Sequence, residues 1–254
     1  MKKIPLLGVL ALGLALAAPA PAKTLKKVPA ALNPDKAYVL VEYKLQKNTF
    51  FAGWPGSRKT MPLQAGLVFG RYDPALGDIR GLGKATSNPV PAGQQAGEGF
   101  DKGSVAKGEA ARLYLLEVEP DTWVVQGYAD TSFSLGSYAF ELAPGTVTDL
   151  GVVTAEQDWA EGQEAPDGGD LLTAALAGPF AKGPDIAPLR LSFRPRGAGD
   201  IPLPAGIPTE KVRPVAFTPG AKFGNHLGGL VNRIEGVNAL AKARQAAAPA
   251  VETN

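Results

Sequence analysis

The stretch Ala111-Arg112-Leu113-Tyr114-Leu115-Leu116-Glu117-Val118-Glu119-Pro120-Asp121-Thr122-Trp123-Val124-Val125-Gln126-Gly127-Tyr128 decides the fold. It holds two apolar, β-branched and aromatic runs around Glu119-Pro120-Asp121-Thr122, whose proline at the second position fits a type I turn. The reading is a strand over 113–118 and an antiparallel partner over 123–128. The pattern continues through Ser132-Phe133-Ser134-Leu135 and Tyr138-Ala139-Phe140-Glu141-Leu142. Ala143-Pro144-Gly145-Thr146 then turns the chain into Val147-Thr148-Asp149-Leu150-Gly151-Val152. Short strands with turn signals every 8–12 residues describe a β-sandwich or barrel.

Outward from this block, Ala37–Lys44 reads as a first strand and 67–72 as a second, ending at Asp73-Pro74. The segment 78–108 is rich in Gly, Ser, Pro and Gln and is expected to be a long surface loop. A further strand is expected at 189–193. Eight prolines between Pro184 and Gly220 suggest an extended strap. Residues 231–245 place Ile234, Val237, Leu240 and Ala241 on one helical face, which predicts a single C-terminal helix. The expected architecture is mainly β: an antiparallel β-sandwich over 37–200, preceded by an exposed lead-in over 23–36 and followed by a Pro-rich strap and helix over 201–254.

The Pro120-Asp121-Thr122-Trp123-Val124 turn resembles part of a theme in small bacterial envelope β-sandwich domains, prealbumin-like modules and small lipoproteins among them. Phe140, Leu142, Pro144-Gly145 and Leu150-Gly151 match its second hairpin. The resemblance covers 111–153, implies fold and compartment, and carries over no catalytic residue. The lipid-anchor cysteine of the lipoprotein versions has no counterpart.

The first 22 residues supply an address. Lys2 and Lys3 precede an apolar run from Ile4 to Ala18, and Ala20-Pro21-Ala22 is a small-residue cleavage pattern before Lys23. At about 15 residues the run is shorter than the roughly 20 that a membrane span needs. A cleaved signal peptide over 1–22 is expected, with the mature chain in the periplasm or at the outer surface. With no cysteine, the chain excludes disulfides, thiol catalysis and a lipid-modified thiol. No transmembrane segment or lipid anchor is therefore expected after cleavage. Gly and Pro, at 31 and 23 residues, make up about a fifth of the chain, against a usual share of roughly 12%.

Charge is segregated. Residues 23–112 carry 14 basic and 7 acidic side chains, 113–181 carry 12 acidic and no basic ones, and 182–254 carry 10 basic and 5 acidic. The simplest account is an acidic middle folded against basic flanks.

Several residues are candidates for chemistry. Phe50, Phe51 and Trp54 beside Arg58 form an aromatic loop suited to stacking on a ligand, and the alternative is that they close one end of the core. Asp167 and Asp170, in an acidic run, offer hard oxygens to calcium, although the run lacks the register of an EF-hand. His226, the only histidine, has no Gly-x-Ser-x-Gly partner motif and reads as a turn residue between glycines. Gly81-Leu82-Gly83-Lys84-Ala85-Thr86 fails the spacing of a phosphate loop. No catalytic residue is assigned. The expected function is that of a non-enzymatic envelope protein, binding or structural, whose partner is an envelope protein or glycan and not nucleic acid. The alternative is an exported hydrolase acting on envelope glycans or peptides through paired carboxylates.

Overall fold

The computed structural model describes residues 23–44, 46–47, 60–61, 67–81, 84, 87, 97–99, 103–128, 131–160, 162–163, 169, 176, 187–224 and 230–237. Its strands, in chain order, begin with β1 (Lys23–Leu25), β2 (Ala37–Lys44), β3 (Gln46–Lys47), β4 (Thr60–Met61), β5 (Leu67–Asp73) and β6 (Asp78–Ile79). Next come β7 (Gly97–Gly99), β8 (Ala106–Lys107), β9 (Ala111–Val118), β10 (Asp121–Tyr128), β11 (Thr131–Ser132) and β12 (Ser137–Leu142). The last five are β13 (Val147–Gln157), β14 (Leu189–Arg194), β15 (Val212–Pro214), β16 (Thr218–Ala221) and β17 (Leu230–Val231).

They form two main sheets. One runs β1-β9-β2-β13-β14, with β8 on β9 and β15 on β13; the other runs β16-β12-β10-β11-β17, with β5 on β10 and β6 and β7 on β5. Most pairs are antiparallel, but β13 runs parallel to both β2 and β15, and β11 parallel to β17. The fold is the mainly β sandwich that the strand pattern predicts.

The first sheet is buried on both faces. Val39, Val41 and Tyr43 of β2 and Tyr114 and Leu116 of β9 face the second sheet, where they meet Phe69, Trp123, Val125 and Phe140. The alternate residues Tyr38, Leu40, Leu113 and Leu115 point the other way, into a second cluster closed by Ile201 and Ile207 of the strap. Burial on both sides explains why these strands read as continuous apolar runs.

That arrangement corrects two expected pairings. β9 and β10 are not hairpin partners: they lie in different sheets, and Glu119-Pro120 carries the chain across the sandwich. Ala143–Thr146 likewise crosses from β12 to β13. The cause is edge occupancy. β9 already pairs with β2 over eight residues and with β1 and β8 on its other edge, so it offers β10 no free ladder.

The flanks are also more integrated than expected. The lead-in contributes β1, and Leu25, Val28 and Leu32 pack on the outer cluster. The segment 78–108 contains β6, β7 and β8 rather than loop alone, and Asp78 and Ile79 are buried. The strap supplies β15 and β16, and Leu230–Val231 at the start of the expected helix forms β17. Residues 231–237 are not helical: Val231 is in a strand, Ile234 is buried, and Val237 has a φ of 70°. The rest of the expected helix lies outside the described residues.

Ion pairs connect the charge blocks as the sequence suggests. Lys36 pairs with Glu119, Arg71 and Arg80 with Asp121, Arg190 with Glu156, and Arg196 with Asp149. Each joins a flanking cation to a carboxylate of the middle block.

Candidate binding groove

β13 is eleven residues long, and one of its edges serves two partners. Val147–Asp149 pairs with β15 and Val152–Gln157 with β14. Between them the register against β2 shifts, at Leu150-Gly151. Gly151 has a φ of 80°, and a Cβ placed there would lie 2.1 Å from the Arg194 carbonyl oxygen. Only glycine both adopts that backbone and lets β14 pass so closely. The Gly151 N–H donates to Asp149 Oδ1 at 2.8 Å, an Asx turn that fixes the bulge.

The notch left between β15 and β14 is a groove of about 330 Å³. Leu150 forms its floor. Phe193 and Pro195 stand on one side, with Val212, Pro214 and Val215 on the other and Phe217 between the sheets. The Phe217 ring centroid lies 5.0 Å from both Phe193 and Tyr138 and 5.8 Å from Phe140, edge-on in the last case. Three ring neighbours hold Phe217 in place and keep the lining preorganised.

Charge at the groove is paired internally. Arg196 Nη2 lies 2.6 Å from Asp149 Oδ1, its Nε–H donates to Asp149 Oδ2 at 3.2 Å, and Nη1 reaches Glu42 Oε2 at 3.2 Å. Glu42, 1% exposed, also accepts the Ile201 N–H at 3.0 Å. Burial pushes the Glu42 carboxyl above the usual range; the Ile201 N–H and Arg196 act in the opposite direction. Arg194 binds Asp200 through two 2.6 Å contacts, and Asp200 also accepts the Gly197 N–H. The hydrogen bond from Arg194, and then that from Gly197, hold the Asp200 carboxyl well below its ordinary value. An occupant therefore meets apolar side chains and neutralised pairs.

Elsewhere the buried carboxylates fasten turns. Asp73 accepts the Ala75 and Leu76 amides at 3.0 and 3.1 Å. Asp78 accepts the amides of Ile79, Lys84 and Gly224 at 2.9, 2.8 and 3.0 Å. Lys84, in the glycine-rich stretch that fails the phosphate-loop spacing, thus offers its amide to a carboxylate. Glu156 and Asp158, at the start of the acidic run, engage Arg190 and the Asn232 side-chain amide. Among the described residues no group of three or more His, Asp or Glu side chains is placed to hold a metal.

Phe50, Phe51, Trp54 and Arg58 lie outside the described residues, as do Asp167, Asp170 and His226. On either side of the aromatic loop, Gln46–Lys47 and Thr60–Met61 pair in a two-stranded ladder. The groove was missed because its parts are far apart in sequence. Its local signals are Asp149-Leu150-Gly151, an Asx turn ending in glycine inside a strand run, and the proline–aromatic pieces Phe193-Arg194-Pro195 and Pro214-Val215-Ala216-Phe217. The chain matches no family model, no curated protein and no solved structure.

Proposed function

We propose that this is an exported, non-enzymatic protein of the cell envelope that acts by binding, with the groove at Gly151 as its contact site. The observation that carries the reading is the groove: an apolar, aromatic-walled notch built on strands and a glycine bulge, with its charges already paired. Export rests on Lys2-Lys3, the Ile4–Ala18 apolar run and Ala20-Pro21-Ala22. The expected mature start, Lys23, is also the first residue of β1.

Two measurements test the reading. The mature protein recovered from the envelope fraction should begin at Lys23 by N-terminal sequencing; a cytoplasmic protein with an intact leader rules out export. Titration with the neutral dye Nile red should give saturable fluorescence in the wild type and at least tenfold weaker binding in Pro214→Glu. Pro214 is exposed, so the substitution charges the groove wall while sparing the core. Equal dye binding by the two proteins removes the groove as the contact site.

A further inference from the structure

The groove lies beside a strand edge that the described residues use only in part. On β14, Leu189 and Leu191 direct their N–H groups away from β13: the first donates to Thr131 Oγ1 at 2.9 Å and the second to the Ile234 carbonyl at 2.8 Å. By the two-residue repeat of a strand, Phe193 directs its own N–H and carbonyl to the same side. Among the described residues neither of these Phe193 groups has a partner. The 230–236 segment therefore covers the start of this edge and stops one step short of the groove.

We propose that the open end of β14 and the groove beside it take an extended segment of a partner polypeptide by strand addition, with uncharged apolar side chains at alternate positions entering the groove. The proposal rests on the groove being the binding site and specifies the class of ligand. Three observations select it. The incoming strand continues a pairing that Ile234 already makes on the same edge. The groove's arginines and carboxylates are committed to each other, so a charged side chain would find no counter-ion there and an apolar one loses nothing. A hydrocarbon chain would leave the Phe193 N–H and carbonyl covered and unpaired, whereas a peptide backbone supplies both a donor and an acceptor. The volume, about 330 Å³, is near the lower end of small-molecule pockets and suits a few side chains.

The test is selection of a random dodecapeptide phage library on the mature chain, residues 23–254, followed by fluorescence anisotropy with the synthetic peptides recovered. The expected peptides alternate apolar with other residues. N-methylation of one alternate set of amides should weaken binding about tenfold or more, while methylation of the intervening set leaves it unchanged. Pro214→Glu should weaken binding by a similar factor, with an unchanged circular dichroism spectrum. Failure to recover binders overturns the proposal, as does binding indifferent to both methylation sets or to Pro214→Glu. A concentration-dependent dimer abolished by Pro214→Glu assigns the edge to a second copy and also overturns it. If Nile red binds but peptides do not, the ligand class is wrong and the groove stands; if neither binds, the binding site itself is wrong.

Discussion

Gly151 and Gly220 both adopt positive φ, 80° and 85°, but their surroundings differ. A Cβ at Gly151 would meet the Arg194 carbonyl oxygen at 2.1 Å, whereas one at Gly220 meets nothing within 4 Å. Gly220→Ala therefore carries only the left-handed backbone penalty, about 1 kcal/mol. Gly151→Ala adds the displacement of β14 and is expected to cost about 3 kcal/mol in urea denaturation. Equal losses would show that β14 yields without strain. Glu42 gives a second expectation at this scale. Its folded pKa is raised, chiefly by burial, so the folded state holds this proton more tightly than the unfolded chain does. Stability contributed through Glu42 thus falls as pH rises through the interval above its ordinary value. Glu42→Gln removes that dependence. The denaturation free energy of wild type minus Glu42→Gln should increase on acidification from neutral pH toward the ordinary glutamate range. A difference that stays flat or decreases contradicts the burial argument. Asp200 titrates with the opposite sign: its lowered pKa gives stability that is present above the ordinary aspartate value and lost below it.

Strands were legible in this sequence where apolar runs are bounded by turn chemistry, as in Ala37–Lys44, which matches β2 over its full length. Their partners were not, because a tight hairpin and a crossing between sheets use the same Pro, Gly and Asp residues. Glu119-Pro120 and Ala143–Thr146 look like hairpin turns, and the choice is made by which edges are already filled. The parallel pairing of β2 with β13 joins residues more than a hundred positions apart and leaves no local trace. The groove was illegible for the same reason, since Gly151 declares its role only when Arg194 arrives beside it. The strap element crossing from β15 to β16 is held between the sheets by Phe217, against Tyr138, Phe140 and Phe193. Phe217 is half-buried, so Phe217→Ala is expected to cost about 2 kcal/mol, below the range for a fully buried ring. Hydrogen exchange should show protection lost at Val215 and along β16, with β2 and β9 unaffected. Uniform loss across both sheets would mean that the strap is part of a single cooperative unit.

At the scale of the whole molecule, the described residues form three apolar clusters: one between the sheets, one on the outer face of the first sheet, and one around Val124, Ala139 and Phe223 of the second. The first two lie in series with the first sheet between them. The inner cluster joins the sheets, and the outer one is closed by the two chain segments that flank the sandwich in sequence. The N-terminal segment places Leu25, Val28 and Leu32 on that outer cluster, and β1 pairs with Leu115–Glu117 of β9. The extra strand β1, at Lys23–Leu25, therefore serves as a cover, and its removal exposes Leu40, Leu113 and Leu115. Three half-buried aliphatic side chains contribute roughly 1 kcal/mol each, about 3 kcal/mol together. For a chain of this size that corresponds to a fall in melting temperature of roughly 10 °C. Deleting 23–32 should produce that fall and raise the fluorescence of a hydrophobic dye, while far-ultraviolet circular dichroism keeps its β signature because the inner cluster survives. A truncated protein that melts with the intact one would return the segment to the role of an exposed lead-in.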